Sequence, residues 1–183
     1  VLFIAGGNGS GKTTLAKLLT GLYVPEGGTI SLNGKQINDD SRPEYRQLFS
    51  TIFVEGHLFD RLLGIDAQPE ELQHWLQLLG VEEKVDLETG RLLTDELSRG
   101  QHKRLALLVA CLDDRPIFVF DEWAAEQDPS FKDIFYCQIL PELSRRGRTV
   151  VAITHDERYF TAADRILKLV DGRLSDAVKG KAA

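Results

Sequence analysis

Gly6-Gly7-Asn8-Gly9-Ser10-Gly11-Lys12-Thr13 has the spacing of a phosphate-binding loop. Glycines let successive backbone N–H groups converge on one anion, and a helix starting there adds the positive end of its dipole. Lys12 can reach β- and γ-phosphates, the Thr13 hydroxyl can ligate Mg²⁺, and Thr14 extends the cradle. Farther on, Ile117 to Phe120 is an apolar strand ending in two carboxylates with separate tasks. Asp121 at the strand end is suited to hold Mg²⁺, and Glu122 one residue on is suited to act on an attacking water. His155 follows a second apolar run, Thr149 to Ile153, and so stands at the strand edge where open α/β sheets bind ligands. From there its imidazole could hydrogen-bond a γ-phosphate. His57, His74 and His102 have no comparable placement and read as surface or packing residues.

A fourth segment, Leu97-Ser98-Arg99-Gly100-Gln101, precedes a helix-forming run from Arg104 to Ala110. Ser98 is a natural N-cap, and Gly100 permits close approach to a ligand. An ordinary helix cap explains the segment by itself. Beside a phosphate loop it reads differently: a chain has one γ-phosphate at its own loop, so a second phosphate-binding helix end points to a site shared between two copies.

The elements that must position these residues follow from periodicity. Val1 to Ala5 reads as a buried strand feeding the glycine loop. A helix runs from about Lys12 to Thr20, with Leu15, Leu18, Leu19 and Leu22 on one face and Gly21 as its stop. Asn33-Gly34 is a hairpin turn between Thr29–Leu32 and a return strand ending at Ile37. Arg42 to Phe49 reads as a short helix and Ser50 to Val54 as a strand. Leu72, Trp75, Leu76 and Leu79 have the i, i+3, i+4, i+7 spacing of an amphipathic helix, with Pro69 near its start and Gly80 at its end. The stretch from His57 to about Cys111 therefore reads as a mainly helical insertion. Strand–helix alternation then resumes: Ile117–Phe120 strand, Phe131–Leu143 helical up to its proline, Thr149–Ile153 strand, Glu157–Ala163 short helix. Ile166–Val170 is a last strand turning at Asp171-Gly172, and the tail from Lys179 reads as frayed.

Bulk properties narrow the classes. The 183 residues fit one domain with a sizeable core. A net charge of -6 without a basic block gives no support for nucleic-acid binding. No uninterrupted apolar run is long enough to span a bilayer, and no secretory signal precedes the glycine loop. Cys111 and Cys137 lie in apolar helical stretches without metal-ligand spacing and read as buried, reduced thiols. The chain has no methionine and starts inside a strand that needs neighbours on both sides, so a fragment lacking its upstream part is expected, in preference to N-terminal processing.

In this order the four segments resemble the ATP-binding cassette of ABC transporters over nearly the whole chain. Gly6–Thr13 resembles Walker A, Leu97–Gln101 the LSGGQ signature, Ile117–Glu122 Walker B with its glutamate, Ala125–Asp128 the D-loop, and His155 the H-loop histidine. The resemblance implies an α/β P-loop NTPase fold of the ABC type, with a mainly parallel sheet core, a small antiparallel β part and a helical subdomain. It implies one N-terminally truncated domain over 1–183, with 1–56 and 112–183 forming a RecA-like core and 57–111 the helical subdomain. It also implies ATP and Mg²⁺ as ligands, and a head-to-tail dimer with a second cassette. Each ATP would lie between Walker A of one chain and Ser98, Gly100 and Gln101 of the other, with Asp128 in the binding site. Transmembrane domains, fused N-terminally, would place the assembly on the cytoplasmic face of the bacterial inner membrane.

Tyr45–Ser50, Leu58–Gly64 and Asp121–Pro129 are similar to bacterial cyclic-peptide and siderophore-peptide exporters. Three departures accompany the resemblance. Val54, followed by Glu55, occupies the position of the Q-loop glutamine. Arg99 replaces a signature glycine. The adenine-stacking aromatic should lie upstream of Val1, which predicts a loss of about 1–3 kcal/mol in nucleotide affinity by the base-stacking scale. The functional classes are then a transporter ATPase, a soluble ABC ATPase of DNA repair or translation, and a non-hydrolysing dimerisation switch. Glu122 and His155 favour hydrolysis.

Overall fold

The computed structural model describes residues 1–53, 67–87, 89–93 and 97–177. In chain order the elements are β1 (Leu2–Ala5), α1 (Lys12–Leu19), β2 (Ser31–Leu32), β3 (Lys35–Gln36), α2 (Arg42–Arg46) and β4 (Phe49–Ile52). Next come α3 (Pro69–Leu79), β5 (Val85–Asp86), β6 (Arg91–Leu92), α4 (Arg99–Asp113) and β7 (Ile117–Asp121). Then follow α5 (Pro129–Ile134), a π-turn (Phe135–Ile139), α6 (Leu140–Arg145), β8 (Thr149–Ile153), β9 (Arg165–Val170) and β10 (Arg173–Asp176). Short 3₁₀ turns cover Glu82–Lys84, Trp123–Glu126 and Glu157–Ala162.

Six strands form one sheet in the order β10-β9-β1-β8-β7-β4, parallel except for β10. Strands covered on both faces must be apolar at successive positions, and they are: Phe118, Val119 and Phe120 of β7 and Val150 to Ile153 of β8 are buried. Ile4 pairs with Ile153, and Ile153 with Asp121. The C-terminal ends of β1, β8 and β7 therefore lie level and adjacent, and the residues that follow each strand meet at one edge. The hairpins β2–β3 and β5–β6 are separate antiparallel pairs.

The amphipathic reading of α3 holds: Trp75, Leu76 and Leu79 are buried and Gly80 closes the helix in the left-handed conformation. This face packs with Leu105, Leu107, Leu108 and Cys111 of α4 and with Phe118, Phe120, Phe135 and Ile139 in one core cluster. A polar joint ties α3 to α6. Arg146 bonds Glu71 at 2.6 Å and Glu142 at 2.7 Å, its guanidinium lies 4.8 Å from the Trp75 ring, and half-exposed His74 meets Glu142 at 2.8 Å.

Three expectations need correction. The helix after Asp128 does not stop at Pro141 but runs through it to Arg145. Proline lacks an N–H and its ring crowds the preceding turn; the π-turn immediately before it widens the helix where that crowding falls. Cys137, on this turn, is exposed, while Cys111 is buried. On α1 the deeply buried positions are Lys12 and Ala16, and Leu22 is exposed, because the helix ends at Leu19 and the left-handed Gly21 turns the chain away before Leu22. Val54, Glu55, His57, Leu58–Gly64, the 56/57 boundary and the tail from Lys179 lie outside the described residues.

Candidate functional site

The loop from Gly6 to Gly11 connects β1 to α1 without a side-chain cap on the helix, so its first N–H groups face outward unpaired by any capping side chain. Gly11 has φ +94°, a left-handed value that disfavours any side chain. Gly6 is required for a different reason: a Cβ there would stand 2.4 Å from the Leu169 carbonyl oxygen on β9. Gly7, Asn8, Gly9, Thr13 and Thr14 are exposed. Ser10 is half-buried, and its Oγ has no hydrogen-bond partner.

Lys12 is buried and folds back over the loop. Its Nζ donates to the carbonyls of Gly6 at 3.1 Å and Gly7 at 2.9 Å and lies 3.4 Å from Glu122 Oε1. Glu122 has φ +49°, an uncommon conformation for a residue with a Cβ and a form of backbone strain that gathers at functional sites. Its N–H donates to Ile153 O at 3.1 Å, which anchors the strained residue to β8.

Asp121 is 1% exposed, and neither carboxylate oxygen has a hydrogen-bond partner. Burial pushes its carboxyl above the usual range, and Glu122 adds to this. The approaching Thr13 hydroxyl and the charges of Lys12 and Lys17 pull the other way. A buried carboxylate without donors is costly unless a cation meets it. Two hard oxygen donors, Asp121 and Thr13, fit Mg²⁺, which typically takes one or two protein oxygens and completes its shell with phosphates and water. Among the described residues no three acidic, histidine or cysteine side chains converge as a metal cage.

His155 is exposed on the turn after β8. It lines a cavity of about 370 Å³ together with Gly6, Gly7, Glu157, Phe160 and Lys168, and a smaller recess with Glu122, Tyr136 and Thr154. The glycine loop, Asp121, Glu122 and His155, spread over 150 residues of chain, thus share one edge of the sheet.

Ser98 and Gln101 lie elsewhere, at the start of α4. The Ser98 hydroxyl accepts the Gln101 N–H at 3.1 Å and the Gln101 side chain accepts the Ser98 N–H at 3.0 Å, a complete capping box. Gln101 lines a separate cavity with Gly80 to Lys84. This helix start is bound to the segment after Glu122. The Gln127 amide donates to Gly100 O at 3.2 Å and its Oε1 accepts from Arg104 Nε at 3.0 Å. The Trp123 indole donates to Lys103 O at 3.1 Å. Asp128 caps α5 by accepting the Phe131 N–H and pairs with Arg104 at 2.7 Å, so both of its oxygens are engaged and its carboxyl is held below the usual range, first by that N–H. Sequence reasoning missed Gln127, Arg104 and Tyr136. Nothing in their spacing separates them from ordinary polar or core positions; their significance lies in contacts 18 to 27 residues apart.

A family model described as ABC transporter matches residues 1–125. The ATP-binding protein SyrD of Pseudomonas syringae pv. syringae is 52% identical over the whole chain, which spans 34% of that relative's length. The Fusobacterium nucleatum energy-coupling factor transporter ATP-binding protein EcfA1 is 32% identical over 94% of the chain and 69% of its own length. The Nod factor export ATP-binding protein I of Burkholderia lata is also 32% identical, over 93% of the chain and 59% of its own length. Among solved structures, a bacterial Atm1-family ABC exporter with ATP bound superposes with a TM-score of 0.78 at 23% identity, covering 96% of this chain and 32% of that one. The ATP-binding cassette MJ0796, a post-hydrolysis dimer bound to ADP and Pi, gives 0.75 at 23% identity over 96% of this chain and 84% of its own. These two support the P-loop NTPase fold of the ABC type. The chain therefore belongs to the ABC transporter family, as its ATP-binding cassette, the domain type in which that family hydrolyses ATP.

Proposed function

We propose that this cassette binds ATP with Mg²⁺ and hydrolyses it to drive an exporter. The observation that carries the reading is the meeting of Lys12, Asp121, Glu122 and His155 at one sheet edge, with Lys12 Nζ 3.4 Å from Glu122 Oε1. Backbone N–H groups of Gly6 to Thr14 hold the phosphates. Lys12 exchanges the Gly6 and Gly7 carbonyls for phosphate oxygens, which releases Glu122. Thr13 and Asp121 would hold Mg²⁺, which would offset charge on the nucleotide's phosphates. Glu122 accepts the proton of a water whose oxygen attacks the γ-phosphorus, while the bond to the β–γ bridging oxygen breaks and ADP leaves. His155 hydrogen-bonds the γ-phosphate.

Ser98, Gly100 and Gln101 serve the second cassette of a head-to-tail dimer, with Asp128 at the same junction. Gln101 lines a different cavity from the one shared by the glycine loop and His155, which supports that arrangement. The division into a core of 1–56 and 112–183 and a helical subdomain of 57–111, the N-terminally fused transmembrane domains, and a position on the cytoplasmic face of the bacterial inner membrane belong to the same proposal. The Nod factor export ATP-binding protein among the relatives supports export. A cyclic peptide or peptide siderophore as cargo rests on the segments noted above.

The test is ATP turnover of the full-length protein against concentration, with Glu122→Gln as control. Turnover that rises faster than linearly and is lost in Glu122→Gln, while ATP binding persists, is expected. Turnover by Glu122→Gln at the wild-type rate would refute the role of Glu122. Strictly linear turnover would refute the shared site.

A further inference from the structure

His155 has no hydrogen-bond partner of its own among the described residues, so the backbone that carries it decides where its ring points. That backbone is held from one side by an unusual turn. Phe135–Ile139 form a π-turn within an otherwise α-helical run. Such wide turns cost helical regularity and recur at functional sites. Tyr136, on the turn, is 3% exposed and packs face to face with Tyr159, ring centroids 4.2 Å apart, and edge-on to Phe3 at 5.7 Å. Its phenol oxygen lies 2.7 Å from Thr154 Oγ1.

Thr154 is the residue before His155, itself 4% exposed. Its N–H donates to Ile4 O on β1 at 3.1 Å, and its Oγ1 accepts the N–H of Asp156 at 3.1 Å. Asp156 pairs in turn with Arg158 at 2.7 Å and Lys132 at 3.7 Å. Both chain neighbours of His155 are thereby pinned, and the Thr154 hydroxyl is the shared point. With the Asp156 N–H already donated to it, its remaining partner is the Tyr136 phenol. Burial pushes that phenol's ionisation upward, so it keeps its proton at neutral pH. Tyr136 and Thr154 line the same recess as Glu122 and His155.

We infer that Tyr136 is a positioning residue for His155: the π-turn brings its phenol to the Thr154 hydroxyl and so sets the turn that presents the imidazole. The inference rests on the reading of His155 as a γ-phosphate ligand. It concerns orientation only; Tyr136 touches neither nucleotide nor water in the proposed reaction.

The experiment uses the full-length protein with Tyr136→Phe, which keeps the stacked ring, and Thr154→Val, which keeps the shape without the hydroxyl. Each is made alone and together with His155→Ala. Turnover is measured alongside the preference for ATP over ADP in a Glu122→Gln background, where binding is read without hydrolysis. Tyr136→Phe and Thr154→Val should each lower kcat by roughly ten- to a hundredfold, the scale of a misplaced group, with little change in KM. Each should reduce the ATP preference, and neither should reduce it further once His155 is alanine. A Tyr136→Phe protein with wild-type kcat, beside an inactive His155→Ala, would overturn the inference alone. So would an undiminished effect of Tyr136→Phe on ATP preference in the His155→Ala background, since a merely structural role acts without His155. Wild-type turnover by His155→Ala would overturn the reading of His155 and this assignment with it.

Discussion

Replacing Asp121 with asparagine should stabilise the nucleotide-free protein while removing its response to Mg²⁺. The carboxylate is 1% exposed with no hydrogen-bond partner on either oxygen, so the folded state carries a buried charge that the unfolded chain would hydrate. Leaving one buried polar group unsatisfied costs about 1–3 kcal/mol, and more for a charged one. An asparagine amide in the same place is also short of partners but is neutral, so a gain of about 1–2 kcal/mol is expected from the charge alone. For a chain of 183 residues this corresponds to a melting temperature higher by about 2–8 °C.

The effect has a direction in pH. Burial raises the folded-state pKa of Asp121 above that of the unfolded chain, so the folded state binds this proton more tightly. Stability from this group therefore falls as pH rises from the unfolded pKa through the folded one, and the whole penalty stands above the folded pKa. Asparagine does not titrate. The advantage of Asp121→Asn should be fully present above the folded pKa and fade as acid is added through it. The assay is thermal melting in EDTA across pH, repeated with Mg²⁺ and ATP. Wild type should gain about 2.7 kcal/mol at a ligand concentration a hundredfold above Kd, and most of the Mg²⁺-dependent part should vanish in Asp121→Asn. An Asp121→Asn protein that melts below wild type in EDTA at neutral pH would refute the reasoning, since the carboxylate would then have a stabilising partner.

Two further substitutions test the scaffold. Gly6→Ala drives a Cβ to 2.4 Å from a backbone oxygen on β9 that cannot swing aside, and should cost about 1–3 kcal/mol; an unchanged melting temperature would show that the β1–β9 pair opens freely. Gln127→Leu removes its bonds to the Gly100 carbonyl and to Arg104 Nε, while Arg104 keeps its pair with Asp128, and should cost about 1 kcal/mol. Backbone amides at the start of α4 should then exchange faster with deuterium, and unaltered exchange there would remove Gln127 as the link between α4 and the segment after Glu122.

The glycine loop, the paired carboxylates and the Ser98 cap are legible in the chain because each is local chemistry. A loop that must cradle phosphate needs glycine at Gly9 and Gly11, a metal carboxylate must end an apolar strand, and a helix start needs a hydroxyl. The α3 helix was equally legible, since one amphipathic face and its two terminators, Pro69 and Gly80, fall within twelve residues. Pro141 misled for the same reason: its local rule ends a helix, and only the packing of Phe135, Tyr136 and Ile139 into the core supports a π-turn that carries the helix past it. Tertiary structure alone decided that Asp121 is buried without a hydrogen-bond partner, that Lys12 leans on Glu122, and that Tyr136 reaches Thr154. These are statements about distance and burial between strands brought side by side by the order β1-β8-β7. Residue types and spacings therefore specify which groups could do the chemistry, while sheet order and packing decide which of them meet and which are left without a partner.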